Sequence, residues 1–240
     1  MNSTSERKSN ENKPYITIES TNDQFVDSYN AYPFSNLLFK YSEKIYQSRA
    51  KRITDILLSL IFIAILSPVA LVIALFIKAD TRGPVLFSQK RNGANRRAFM
   101  IYKFRTMTVM ESEGRFTQAT AGDARITRVG KFLRGTSLDE LPQLWNVLRG
   151  DMSLVGPRPH AIPMDDAFAP VISNYTDRHL VRPGLTGLAQ VAGYRGPTES
   201  LKKIALRVQC DRLYIRKWSI WLDFAIIART AFVLKGPNAL

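Results

Sequence analysis

Apolar positions in this chain fall into one long block and a series of short ones. The block runs from Ile53 to Ile77, ITDILLSLIFIAILSPVALVIALFI, and is long and apolar enough to be a transmembrane candidate. Three features set it apart from a plain span. Ser67-Pro68 sits near its middle; proline removes an amide donor and crowds the preceding turn, so a kink is expected, and the serine hydroxyl can rebond the freed carbonyl. The first arm, Ile53 to Leu66, is about 21 Å long at the helical rise, short of the roughly 30 Å of a hydrocarbon core. Arg49, Lys51 and Arg52 precede the run, and Lys78, Arg82, Lys90, Arg91, Arg96 and Arg97 follow it. Positive charge marks the cytoplasmic side of a membrane, so both flanks belong there. The pattern favours a helix, a break and a second helix over residues 49–78, dipping into one leaflet and returning. The alternative is a Pro-kinked span whose C-terminal part lies outside. Asp55 can stay at the interface or pair with Lys51 or Arg52 one turn away.

The short blocks predict the rest. Pro84–Gln89 and Ala98–Tyr102 read as strands around an Asn92-Gly93 turn. Val109–Asp123 is polar, with Gly114 and Gly122, and reads as a loop. Ser137–Leu148 reads as a helix with Leu138, Leu141, Leu144, Trp145 and Leu148 on one stripe. Pro157, Pro159, Pro163, Pro183 and Pro197 punctuate irregular structure. Helices follow at about Glu199–Tyr214 and Trp218–Leu234. The second of these, with Trp218, Trp221, Phe224 and Phe232 beside Arg216 and Lys217, suits either a membrane interface or a buried core. Residues 1–48 read as a polar, largely disordered extension, with no apolar periodicity up to Gln24 and no signal-peptide core near Met1. Its aromatic part, Phe25–Tyr46, has no partner that the sequence identifies. No repeat of solenoid period occurs. The expected class is α+β: a membrane helix followed by a compact, mainly helical domain over residues 79–240 with a few short strands and C-terminal interfacial helices.

Charge changes the picture. The chain holds 34 Lys+Arg against 20 Asp+Glu, a net +14, and the excess lies beyond residue 48. Such a surface implies a polyanionic partner: phosphates, nucleic acid or an anionic membrane. A single cysteine, Cys210, excludes an internal disulfide framework, and two histidines, His160 and His179, leave little for a His-rich metal site. Both histidines read as structural, and Cys210 as a packed helical residue.

The candidate chemistry sits at Ser137-Leu-Asp139-Glu140. Taken alone it is a capping box, with Ser137 capping the helix and Glu140 bonding back. Two adjacent carboxylates can also hold Mg²⁺, one of them serving as a nucleophile toward phosphorus. Arg125, Arg128, Lys131, Arg134, Arg149 and Arg158 lie nearby in sequence and could neutralise a diphosphate, or simply form a solvated or lipid-facing basic surface. Neither a phosphate-binding P-loop nor a strand followed by G-x-G-x-x-G occurs.

From about Arg49 onward the chain resembles the bacterial sugar transferases, the monotopic phosphoglycosyl transferases acting on polyprenyl phosphate. The resemblance rests on Lys51-Arg-Ile-Thr-Asp55, Ser67-Pro68, Gln89-Lys-Arg-Asn-Gly93, Lys103-Phe-Arg-Thr-Met107, the run RGTSLDELPQLWNVLRGDMSLVGPRP from Arg134 to Pro159, and Arg182-Pro-Gly-Leu-Thr-Gly187. It implies transfer of a sugar 1-phosphate from a UDP-sugar to undecaprenyl phosphate with release of UMP, as the first membrane step of exopolysaccharide synthesis. It implies that Asp139 is the nucleophile of a covalent phosphosugar intermediate and that Asp139 and Glu140 hold Mg²⁺. Arg158, within Pro157-Arg158-Pro159, matches the donor site, Arg134 the lipid-phosphate site, and Lys103 and Arg105 a basic motif nearby; Arg182 falls in a further matching stretch. Lys51, Arg52, Asp55, Ser67 and Pro68 match the re-entrant membrane helix. The location implied is the cytoplasmic leaflet of the bacterial inner membrane, with the catalytic domain facing the cytoplasm and a homo-oligomer open. The stretch Gly193–Glu199 points to UDP-glucose or UDP-galactose. The competing class is a non-enzymatic, membrane-anchored basic module binding nucleic acid or anionic lipid; no helix-turn-helix, zinc or RNA-binding signature supports nucleic acid.

Overall fold

A computed structural model describes residues 35–108, 123–195 and 200–233. The expected loop at 109–122, residues 1–34, residues 196–199 and the end of the last expected helix lie outside them. The architecture is mainly helical, with two two-stranded sheets.

The N-terminal extension is not polar throughout. Helix α1, Ser35–Gln47, buries Leu38 and Ile45 in the main core. Its half-apolar pattern holds that face only because the rest of the domain supplies the other half, which a local reading of a polar segment does not show.

Helix α2, Arg49–Asp80, is one unbroken helix of 32 residues rather than two helices separated by a break. Ser48 caps it, accepting from the Lys51 amide at 3.2 Å. Pro68 cannot bond the Ala64 carbonyl, and the Ser67 hydroxyl donates to that oxygen at 3.1 Å instead. The repair leaves the helix continuous where proline alone would interrupt it. The most apolar stretch of α2 is only 11% buried, and Leu57, Leu60, Ile61, Ile65, Leu71, Val72, Leu75 and Phe76 are exposed.

Both ends of α2 are gripped by the same folded domain. At the start, the Lys51 ammonium donates to Asp223 Oδ2 at 2.7 Å and to the Val155 carbonyl at 3.1 Å. Arg52 donates to the carbonyls of Val147 and Leu148 at 2.6 and 2.7 Å. Asp55 accepts from the Leu154 amide at 3.1 Å. At the other end, Ile73 and Ile77 pack with Phe104 and Leu133. There the Arg105 guanidinium donates to the carbonyls of Arg82, Thr81 and Ile77 at 2.6, 2.8 and 3.4 Å, tying the end of α2 and the two residues after it to β2.

Strands β1, Leu86–Asn92, and β2, Ala98–Phe104, form the expected antiparallel hairpin, with Leu86 opposite Phe104 and Asn92 opposite Ala98. Helix α3, Arg128–Thr136, was not legible in the sequence. It lies so close to the end of β2 that a Cβ on Gly130 would stand 2.0 Å from the Thr106 carbonyl oxygen. The expected helix over Ser137–Leu148 is divided. Ser137, at φ 61°, ends α3; Leu138–Glu140 is a single 3-10 turn; helix α4, Gln143–Arg149, starts after Pro142. Ser137 makes no capping bond, so the capping box does not form. The apolar stripe is incomplete too: Leu144 is buried, but Trp145 is 56% exposed.

Strands β3, Ser153–Val155, and β4, Gly184–Thr186, pair in parallel. They are too short for a periodicity argument. Helix α5, Ile162–Phe168, leads to a 3-10 segment at Tyr175–Leu180, and α6 is the single turn Leu188–Val191. Helices α7, Leu201–Lys217, and α8, Ile220–Val233, match the two expected C-terminal helices to within a few residues. Helix α8 is neither wholly interfacial nor wholly buried. Asp223 and Ile226 face the core, while Trp221 and Phe232 are 77% and 81% exposed.

Candidate active site

The 3-10 turn between α3 and α4 presents Asp139 and Glu140 side by side, both buried. Three elements bring cations to them. From β2, the Lys103 ammonium donates to Glu140 Oε1 at 2.8 Å and stands 3.8 Å from Asp139 Oδ2. From the segment after β3, Arg158 forms a fork on Glu140, with bonds of 2.6 Å to Oε1 and 3.1 Å to Oε2. From the turn after α6, Arg195 lies 3.5 Å from Glu140 Oε2.

The two carboxyls are thereby driven apart. Burial pushes the Asp139 carboxyl up, Glu140 beside it adds to the effect, and Lys103, Arg158 and Arg134 offset it only in part. Burial acts on Glu140 in the same sense, but Arg158, Lys103 and Arg195 outweigh it and hold that carboxyl well below the usual carboxylate range. Glu140 is a fixed anion that gathers cations. Asp139 has one long ion pair and no hydrogen bond among the described residues, so its oxygens are available.

Arg158 is held from behind. Gly184 donates to the Pro157 carbonyl at 2.8 Å and Gly156 to the Thr186 carbonyl at 2.9 Å. This close crossing needs glycine, since a Cβ on Gly184 would stand 2.1 Å from the Gly156 nitrogen. The Arg178 guanidinium donates to the Arg158 carbonyl at 2.8 Å and pairs with Asp211 at 3.0 Å. His160 fills this layer with Tyr175 on one ring nitrogen at 2.6 Å. Burial first, then Arg178 and Arg207, hold its imidazole well below the usual range, so it is a neutral filler. The Pro159 carbonyl accepts from Arg91 at 3.4 Å.

Of the residues the sequence singled out, Lys103 and Arg158 meet the dyad, and Arg134 adds positive potential at Asp139. Pro157 and Pro159 shape the backbone that carries Arg158. Arg105 and Arg182 are elsewhere. Arg105 is spent on the carbonyls at the end of α2. Arg182 stacks on the Tyr46 ring at 4.4 Å and donates to the Gly150 carbonyl at 3.1 Å. The rest of the basic cluster disperses: Arg125 pairs with Asp123, Arg149 with Asp151, and Arg128 and Lys131 are exposed. Arg195 was missed as a site residue; its stretch suggested only a choice of sugar.

The family model for bacterial sugar transferases matches residues 46–236, spanning α2, the dyad and α8. A UDP-glucose:undecaprenyl-phosphate glucose-1-phosphate transferase of Klebsiella pneumoniae is 52% identical over 182 residues, covering 76% of this chain and 39% of that protein. A protein of the same name from Caulobacter vibrioides is 49% identical over 180 residues, covering 75% of this chain and 67% of that one. The exopolysaccharide production protein PSS of Rhizobium leguminosarum bv. phaseoli is 47% identical over 184 residues, covering 75% and 92%. The chain thus spans about two fifths of the length of the first of these relatives and nearly all of the last. With the match extending over the buried dyad, its cations and the apolar helix alike, the chain belongs to the bacterial sugar transferase family.

Proposed function

We propose that the protein transfers a hexose 1-phosphate from a UDP-hexose, UDP-glucose or UDP-galactose, to undecaprenyl phosphate, as the first membrane step of exopolysaccharide synthesis. The observation that carries the reading is the division of labour in the dyad, with Glu140 neutralised by three cations and Asp139 left open beside it. Relatives named for this transfer support the substrates. In the first step an Asp139 oxygen attacks the sugar-bearing phosphorus. The bond from that phosphorus to the bridging oxygen breaks, and UMP leaves. In the second step a phosphate oxygen of the lipid attacks the same phosphorus and displaces Asp139. The products are a polyprenyl diphosphate sugar and the free enzyme. Lys103 and Arg158, beside the dyad, would offset the charge that builds up on the diphosphate.

Mg²⁺ belongs to this reading. Among the described residues no group of three or more His, Cys, Asp or Glu is placed to hold a metal. Asp139, whose oxygens are open, fits as the protein ligand of an ion that takes its remaining ligands from substrate phosphates, the ordinary mode of Mg²⁺, with the Glu140 charge beside it. When bound, it would offset repulsion between carboxylate and diphosphate. Purified protein in nanodiscs, given undecaprenyl phosphate and, in parallel, UDP-glucose or UDP-galactose, should release UMP from at least one of them and lose at least about 100-fold of that rate in excess chelator. No release from UDP-glucose or UDP-galactose overturns the function; full release in chelator overturns the metal.

We read α2 as re-entrant, lodged in the cytoplasmic leaflet of the inner membrane. Support comes from its two ends, held by one domain, and from its exposed apolar middle. In a Cys210→Ser background, Arg49→Cys and Arg82→Cys should both react with an impermeant maleimide only after spheroplasts are opened. Labelling of Arg82→Cys in intact spheroplasts would establish a span.

A further inference from the structure

A cavity of about 250 Å³ runs from the apolar helix to the dyad. Phe62 and Leu66 of α2, Ile227 and Ala231 of α8, and Leu154 and Leu185 give it an apolar lining. Glu140, Ser137, Gln190 and Arg195 are among its polar lining residues, and Arg195 meets Glu140 there. Two polar atoms there, Ser137 Oγ and Gln190 Oε1, are buried without a partner, and Gln190 is only 6% exposed. Unsatisfied buried polar atoms at a cavity end are costly unless something binds there. Among the described residues Arg195 is the only cation in the lining, and its contact with Glu140, at 3.5 Å, is the longest of the three.

An apolar trough with one cationic, hydrogen-bonding end is complementary to a hydrocarbon chain ending in phosphate. Resting on the function proposed above, we propose that this groove holds the first isoprene units of the acceptor lipid. Its phosphate then sits on Arg195, rather than on Arg134 as the resemblance implied. Ser137 Oγ donates to a phosphate oxygen. Gln190 Oε1 accepts only from the singly protonated phosphate, the form that prevails below its second pKa near 6. By scale, an apolar cavity of about 150 Å³ takes one benzene, so this one takes about two five-carbon units. The remainder of the chain leaves between α2 and α8 into the bilayer.

The test fills the groove. Ala231→Trp and Ile227→Trp, checked for folding by circular dichroism, should each raise the KM for undecaprenyl phosphate about tenfold or more. The KM for UDP-glucose should move less than twofold. In a series of acceptors, efficiency should rise steeply from dimethylallyl to geranyl phosphate and flatten beyond. A diazirine-bearing farnesyl phosphate should label Leu185–Val191 and Ile227–Ala231, and the label should be lost from folded Ala231→Trp protein. An unchanged acceptor KM in both folded variants, or label confined to the exposed face of α2, overturns the groove. If wild-type protein releases no UMP, the function fails, and photolabelling then decides the groove alone.

Discussion

Asp139→Asn should lower UMP release by about four orders of magnitude or more, the scale of deleting a covalent nucleophile. Asn matches Asp in size and makes no demand on the fold, because Asp139 has only a long ion pair to lose. What disappears is the anion that attacks phosphorus. Thermal melting should therefore stay close to wild type while turnover vanishes. Mass spectrometry after mixing with UDP-glucose should find a hexose-phosphate adduct on wild-type protein and none on the variant. Turnover within tenfold of wild type would remove Asp139 from the nucleophile's role.

Arg158→Ala should cost turnover about 100- to 1000-fold, and Arg158→Lys should recover only part of it. The wild-type residue is a fork with two bonds to Glu140, and lysine supplies charge without the planar pair of donors. Stability should respond as well. Glu140 is held well below the usual range, with Arg158 the first cation opposing its burial. A carboxyl with a depressed folded pKa adds stability that is present above the unfolded pKa and lost as pH falls through the folded one. Removing Arg158 raises that folded pKa and shrinks the contribution. The variant should melt lower at pH 7 and differ less from wild type in strong acid. Equal melting curves across that range would detach Glu140 from Arg158.

Much of the fold was legible where a pattern had length. The apolar helix, the hairpin and the two C-terminal helices each show a run long enough to fix a period. Helix α3 escaped because Arg128–Thr136 mixes three basic residues and two glycines, and it is secured by the close approach of Gly130 to Thr106. Strands β3 and β4 are three residues each, and their pairing depends on glycines in contact across a gap of nearly thirty residues in sequence. The dyad was legible because its motif is long and specific. Lys103 and Arg158 were legible with their motifs, but Arg195 was not, because sequence proximity says nothing about direction: Arg125 and Arg149 turn to local aspartates, while Arg195 arrives from beyond α6. The Ser67 hydroxyl was expected to repair the break at Pro68, and the repair is complete enough that the helix does not break.

The grip on α2 also has a timing. Lys51 leaves the ribosome 172 residues ahead of Asp223, its buried partner. At about 5–20 residues per second that interval lasts roughly 9 to 34 s. During it the C-terminal end of the greasy helix can already be tied, because Arg105 follows Ile77 by only 28 residues, while its first turn waits. The basic flanks and the Ser-Pro pair are what the nascent chain has in hand throughout. The Lys51–Asp223 contact closes last, on a helix already made and already held at its other end.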